Sequence, residues 1–109
     1  MGITKSSLFT EDQNQLASIA KAIGHPARIA ILQHLLKTNQ CINGDLVKEL
    51  GLAQATISQH LKELKAIGII KGTIEGTSMC YCIDPDVWER MSATFSNLFN
   101  LYDREKACC

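Results

Sequence analysis

Apolar residues recur at helical steps over most of this chain and alternate with polar ones over one short stretch. Leu16, Ile19, Ala20 and Ile23 share one face and predict a helix over about residues 11–23. Thr10-Glu11-Asp12-Gln13 ahead of them is a capping box, with Thr10 as N-cap and Gln13 reaching back. Gly24 closes that helix. His25-Pro26 opens a second, because the fixed φ of proline suits the first helical position. The second helix runs to about Lys37 and turns Ile31, Leu32 and Leu35 inward. Cys41-Ile42 is a short link to a third helix, capped by Asn43 and ended by Gly51. A fourth helix spans about residues 54–67. Its cap position holds Ala53, which lacks an acceptor for the first-turn amides and costs about 1 kcal/mol relative to serine.

On the fourth helix, at 100° per residue, Ile57, His60, Leu61, Leu64 and Ile67 fall on or beside one face, and Ala55, Ser58, Gln59 and Lys62 fall opposite. Gly68 ends it. Ile69 to Ile74 and Met79 to Ile83 then read as paired strands around Glu75-Gly76-Thr77-Ser78. Alternation puts Met79, Tyr81 and Ile83 on the inward face and Cys80 and Cys82 on the other. Asp84-Pro85 caps and starts a last helix. Its apolar residues Trp88, Met91, Phe95, Leu98 and Tyr102 step by three and four, a coiled-coil-like seam that Phe99 widens. A helix this apolar at the end of a small domain calls for a partner, and the stripe on the first helix matches it. The two together predict a homodimer interface; packing within one chain is the alternative.

A short helix, a turn and a second helix with small polar residues facing outward, followed at once by a two-stranded hairpin, form a winged helix-turn-helix. That arrangement fits the major groove of double-stranded DNA. The predicted class is mainly α with a two-stranded β wing, in the order α-α-α-α-β-β-α, dimerised through the first and last helices. Residues 1–9 are expected to be a flexible N-terminus, 10–103 the dimerisation and DNA-binding domain, and 104–109 a flexible tail carrying cysteine.

The chain has 109 residues, which suits one domain, and 46% of them are hydrophobic. Its net charge is zero, with 11 basic and 11 acidic residues, so no basic excess advertises a nucleic acid. The local balance differs. Over residues 54–74, Lys62, Lys65 and Lys71 face only Glu63, a local balance of +2. No apolar run is long enough to cross a bilayer, and the N-terminus lacks a signal-peptide core. Gly2 with Ser6 fits a myristoylation pattern and Cys108-Cys109 a lipidation site; both are read as chance matches. The expected setting is cytoplasmic, without membrane, and the five cysteines are expected as reduced thiols.

This order of elements resembles the ArsR/SmtB family of small bacterial repressors over about residues 11–100. The residues that carry the likeness are 22–32 (Ala-Ile-Gly-His-Pro-Ala-Arg-Ile-Ala-Ile-Leu), 54–64 (Gln-Ala-Thr-Ile-Ser-Gln-His-Leu-Lys-Glu-Leu), Gly68-Ile69-Ile70, and Glu75-Gly76 with Tyr81. The resemblance implies a winged-helix homodimer that represses transcription at an inverted-repeat operator and lets go when an inducer binds. Family members respond to arsenite, zinc, cadmium, lead or thiol oxidation. By that likeness Gln54, Ala55, Thr56, Ser58, Gln59 and Lys62 face the groove or its rim, with Gln54 and Gln59 able to bond base edges. Thr56, Ser58 and Lys62 are suited to phosphate, and Thr77 and Ser78 at the wing tip to the backbone or minor groove. Arg28 is either a phosphate contact or half of an internal ion pair.

The cysteines depart from the family. Its arsenite pattern is Cys-x-Cys-Asp, whereas this chain has Cys41-Ile42-Asn43-Gly44-Asp45, one cysteine short and one residue longer. The zinc site of the last helix needs histidine, and residues 84–106 contain none. Cys80 and Cys82 sit two apart on one strand, with Cα atoms about 6.6–6.8 Å apart. Thiolates select soft centres, and arsenic(III) takes three sulfurs. Cys80, Cys82 and one of Cys41, Cys108 or Cys109 are therefore the candidate metal-binding set, with arsenite or another soft metal ion as inducer; DNA binding itself calls for no cofactor. The plain alternative is cysteine as a small apolar filler. Three further readings are kept open: thiol oxidation, with a tail cysteine as the disulfide partner; a thiol-redox or metal-carrier protein using Cys108-Cys109; and an interaction module that uses the winged helix to bind protein. A catalyst is not expected, since there is no Cys-x-x-Cys motif and no glycine-rich nucleotide loop. His25, His34 and His60 are scattered and read as structural.

Overall fold

Local signals in the chain set most element boundaries. The structure, a computed structural model, describes residues 6–38, 46–75 and 78–106. Its elements are α1 (Glu11–Ile23), α2 (Pro26–Thr38), α3 (Leu46–Leu50), α4 (Gln54–Ala66), β1 (Ile70–Glu75), β2 (Ser78–Ile83) and α5 (Pro85–Phe99). Single 3-10 turns at Ser6–Leu8 and Arg104–Lys106 lie within the two segments expected to be flexible. The Asn43 cap, the Cys41-Ile42 link and the Gly76 hinge lie outside the described residues.

The capping box forms: Gln13 N donates to Thr10 Oγ1 at 3.1 Å and Thr10 N to Gln13 Oε1 at 3.0 Å. His25 takes the cap of α2, its Nδ1 accepting from Ala27 N at 3.0 Å. Ala53 caps α4 with extended backbone and no side-chain hydrogen bond. Gly68, at φ +81°, lets the chain turn out of α4 into the wing. Asp84 Oδ1 caps α5 by accepting from Asp86 N and Val87 N at 3.1 and 3.2 Å.

β1 and β2 pair antiparallel, with Lys71 opposite Cys82, Gly72 opposite Tyr81 and Thr73 opposite Cys80. Gly72 has φ +144°, and a Cβ there would run into the Cys80 carbonyl. Only glycine fits that close crossing of the two strands.

The core joins Ile19 of α1, Ile31, Leu32 and Leu35 of α2, Leu46 of α3, Ile57, Leu61 and Leu64 of α4, Ile69, Ile70, Tyr81 and Met91. α4 is central to it, packed against α1, α2, α3 and β1. Among the described residues, His60 is the one buried side chain that is polar or charged. The seam on the last helix divides. Met91 is buried and Trp88 and Phe95 are half-buried: α1 packs on α5 around Met91, and Trp88 faces α2 and β2. Leu98 and Phe99 are exposed at 46% and 68%. Tyr102 does not continue the seam in the helix. The i−4 ladder stops at Asn100: the Leu101 and Tyr102 N–H groups donate to the i−3 carbonyls of Leu98 and Phe99, so α5 closes at Phe99 and Tyr102 lies beyond it, exposed.

Candidate nucleic-acid interface and thiol site

α4 divides sharply. Ile57, His60, Leu61 and Leu64 are buried, while Gln54, Ala55, Thr56, Gln59 and Lys62 are exposed and Ser58 is half-buried. The outward row runs along a helix whose other face is fixed in the core, so its side chains keep their spacing. Gln54 Nε2 donates to Ser58 Oγ at 3.2 Å, and Gln59 Nε2 donates to Glu63 Oε1 at 3.2 Å. Both are exposed bonds, which exchange at small net cost for bonds to another polar partner. Ser78 pairs with Glu75 through the backbone at the wing tip. The Ser78 side chain and all of Thr77 lie outside the described residues.

Arg28 is held by internal hydrogen bonds and, among the described residues, by no carboxylate. Its Nε donates to His60 Nδ1 at 3.1 Å and its Nη1 to the Ala22 carbonyl at 2.8 Å. The guanidinium is thus turned inward, toward neutral acceptors. The ring of His25 tilts against that of His60, with centroids 4.4 Å apart. Three residues that look scattered in the sequence therefore meet behind α4. Burial, more than the neighbouring His25 and Arg28, holds the His60 imidazole below its ordinary value of 6.5. The one sequence signal was the position of His60 on the apolar face, which gave burial without a partner.

β2 puts Cys80 and Cys82 on the strand side away from Tyr81, and both are half-buried. Cys82 borders a cavity of about 420 Å³ formed with Leu35 and Leu36 of α2, Lys71 of β1 and Pro85, Trp88 and Glu89 of α5. Cys80 does not line it. Among the described residues, no three histidine, cysteine, aspartate or glutamate side chains converge on a point that would hold a metal ion. Cys80 and Cys82 are two thiols on one side of one strand. The third candidates, Cys41, Cys108 and Cys109, lie outside the described residues.

The sequence pattern of the arsR family of bacterial regulatory proteins matches residues 25–71, which hold α2, α3, α4 and the start of β1. The HTH-type transcriptional regulator MJ1325 of Methanocaldococcus jannaschii is 39% identical over 80 residues, covering 72% of this chain and 90% of its own. This chain belongs to the ArsR family. The HTH-type transcriptional repressor SmtB of Mycobacterium tuberculosis is 38% identical to it over 63 residues, 58% of this chain and 46% of SmtB. The chain thus spans under half the length of that relative. The solved cadmium metal-sensor CmtR of Mycobacterium tuberculosis superposes with a TM-score of 0.53 at 32% identity, over 72% of this chain and 80% of CmtR. As an ArsR-family member the chain is a winged-helix, DNA-binding transcription regulator and not an enzyme. Among the described residues, no helix is long and apolar enough to cross a membrane.

Proposed function

We propose that this ArsR-family chain is a cytoplasmic homodimeric repressor that binds an inverted-repeat operator and is released by a thiophilic inducer, arsenite or a similar soft metal, held by cysteine thiolates. The observation that carries the repressor reading is the outward face of α4. Gln54, Ala55, Thr56, Gln59 and Lys62 are exposed in one row beside a wing, on a helix anchored by three leucine or isoleucine side chains with no exposure. Gln54 and Gln59 are assigned to base edges, where a bidentate glutamine–adenine pair contributes about 1–3 kcal/mol of discrimination. Thr56, Ser58 and Lys62, with Thr77 and Ser78 of the wing, are assigned to phosphates, which position the helix without reading sequence.

A second copy is assigned to the distal face of α5. Leu98 and Phe99 are exposed there and Leu101 and Tyr102 just beyond, four large apolar side chains within five residues. The inducer reading is supported by the place of the thiols. Cys82 sits where β1, α2 and the first turn of α5 meet. A ligand drawing on Cys80, Cys82 and one of Cys41, Cys108 or Cys109 bears on the joint between wing and dimer helix, the coupling that release requires.

The test is fluorescence anisotropy of the reduced protein on a labelled duplex from DNA upstream of its coding sequence, titrated with arsenite. Wild type should release the duplex. The Cys80→Ser/Cys82→Ser variant should bind as well and ignore arsenite. A double variant that still responds places the inducer elsewhere, and a wild type that ignores arsenite but releases DNA after mild peroxide turns the reading to thiol oxidation.

A further inference from the structure

One guanidinium joins three elements behind α4. The Ala22 carbonyl belongs to the last turn of α1, where carbonyls have no partner within the helix. Arg28, in the first turn of α2, satisfies that carbonyl with Nη1 and reaches His60 of α4 with Nε. His25, between α1 and α2, caps α2 through Nδ1 and lays its ring on His60. One guanidinium thus ties the α1–α2 corner to the centre of α4, one residue from Gln59 and two from Lys62.

We propose that Arg28 and His60 are positioning residues for DNA recognition, and that a proton on His60 Nδ1 breaks their bond and lowers affinity for DNA. This rests on the repressor reading above. His60 Nδ1 accepts from Arg28, so the neutral ring carries its hydrogen on Nε2. A second proton turns Nδ1 into a donor facing the Arg28 N–H, two donors and two positive charges in place of one bond. The ring is 9% exposed, so solvent offers little screening. The neighbouring charges do little to help. Lys21 of α1, His25 of the turn, Arg28 of α2 and Glu63 of α4 line the adjoining cavity of about 590 Å³, and Glu63, the one carboxylate among these four, accepts from Gln59. With its bond to Arg28 lost, α4 keeps its apolar contacts but loses that side-chain tie to the corner.

The sign follows. His60 titrates below 6.5 in the folded chain, so unfolded chain takes the proton first as pH falls. The bond is intact above that value and is lost as pH drops through the folded titration below it. DNA affinity should then weaken by up to about tenfold per pH unit for each protomer. The ordinary effect of acid is opposite, because added positive charge strengthens binding to a polyanion.

The experiment pairs two readings between about pH 8 and pH 5.5, the range in which histidine changes charge. Imidazole resonances of the full chain without DNA locate the His60 titration. Anisotropy on the upstream duplex gives affinity across the same range for wild type and His60→Asn, whose carboxamide oxygen accepts from Arg28 without titrating. The expected result is a His60 midpoint below 6.5, wild-type affinity that falls below the midpoint, and a flat His60→Asn profile with near wild-type affinity at pH 8. A midpoint at or above 6.5, a wild-type affinity that rises in acid, or the same slope in His60→Asn overturns the proposal. His25→Asn keeps the α2 cap and removes the second ring; it should raise the His60 midpoint, and an unmoved midpoint also counts against the clamp. DNA bound with a flat wild-type profile overturns the positioning role alone. No binding at any pH overturns the repressor reading and the positioning role together, while the resonances still report the clamp.

Discussion

Ala53→Ser isolates a local signal at the start of the recognition helix. Ala53 already has the extended backbone of a cap, φ −64° and ψ 147°, and is exposed. A serine hydroxyl there accepts from the Ala55 or Thr56 amide without moving the chain, as Thr10 does for Gln13 in α1. The gain is about 1 kcal/mol, a factor of about five in the folded-to-unfolded ratio. For 109 residues the unfolding entropy is about 0.23 kcal/mol/K, so Tm should rise by about 4 °C. Differential scanning calorimetry at fixed protein concentration measures it, since the proposed dimer would make Tm concentration-dependent. Ala55→Ser is the control: the same hydroxyl inside the first turn lacks cap geometry and should add nothing. An Ala53→Ser chain no more stable than wild type, or a gain equalled by Ala55→Ser, would refute the helix start described here.

Three further variants test other joints. Gly72→Ala forces a side chain into positive φ and against the Cys80 carbonyl, at a cost of at least about 1–3 kcal/mol; hydrogen exchange should show loss of β1–β2 amide protection, and full protection would count against the crossing. Tyr81 is 1% exposed, burial raises its pKa, and its hydroxyl has no hydrogen-bond partner among the described residues. Tyr81→Phe removes an unsatisfied polar group and should leave stability equal or higher by up to about 1–3 kcal/mol, so a lower Tm would reveal a partner for the hydroxyl. Leu98→Glu/Phe99→Glu places charge on a face exposed in the single chain; sedimentation should show wild-type dimers becoming folded monomers, and dimers that persist would move the interface elsewhere.

What was legible in the sequence was mostly local or periodic. The Thr10 box, the Asp84-Pro85 start of α5 and the missing cap at Ala53 each depend on residues within one turn, and each is found. The two faces of α4 and the inward Tyr81 follow from periods of 3.6 and 2. What was missed is long-range or depends on backbone angle. Arg28 and His60 are 32 positions apart, and no period brings them together. Tyr102 keeps the seam spacing, but the helix ends before it, where the Leu101 and Tyr102 amides turn to i−3 carbonyls. Gly72 reads as an unremarkable glycine until its φ and the opposing carbonyl are seen. Cys80 and Cys82 share a strand side as alternation requires, yet only Cys82 borders the cavity beside α5, which spacing alone does not separate.

The most direct test of the central claim is affinity for the upstream duplex across a series of salt concentrations, for wild type, Lys62→Ala and Gln54→Ala/Gln59→Ala. Binding should be salt-sensitive, with a log–log slope that falls by about 0.9 for each phosphate contact that Lys62→Ala removes. The glutamine variant should keep the slope and lose preference for that duplex over unrelated DNA. Equal affinity and equal salt dependence in all three proteins would contradict the assignment of the outward face of α4 to DNA.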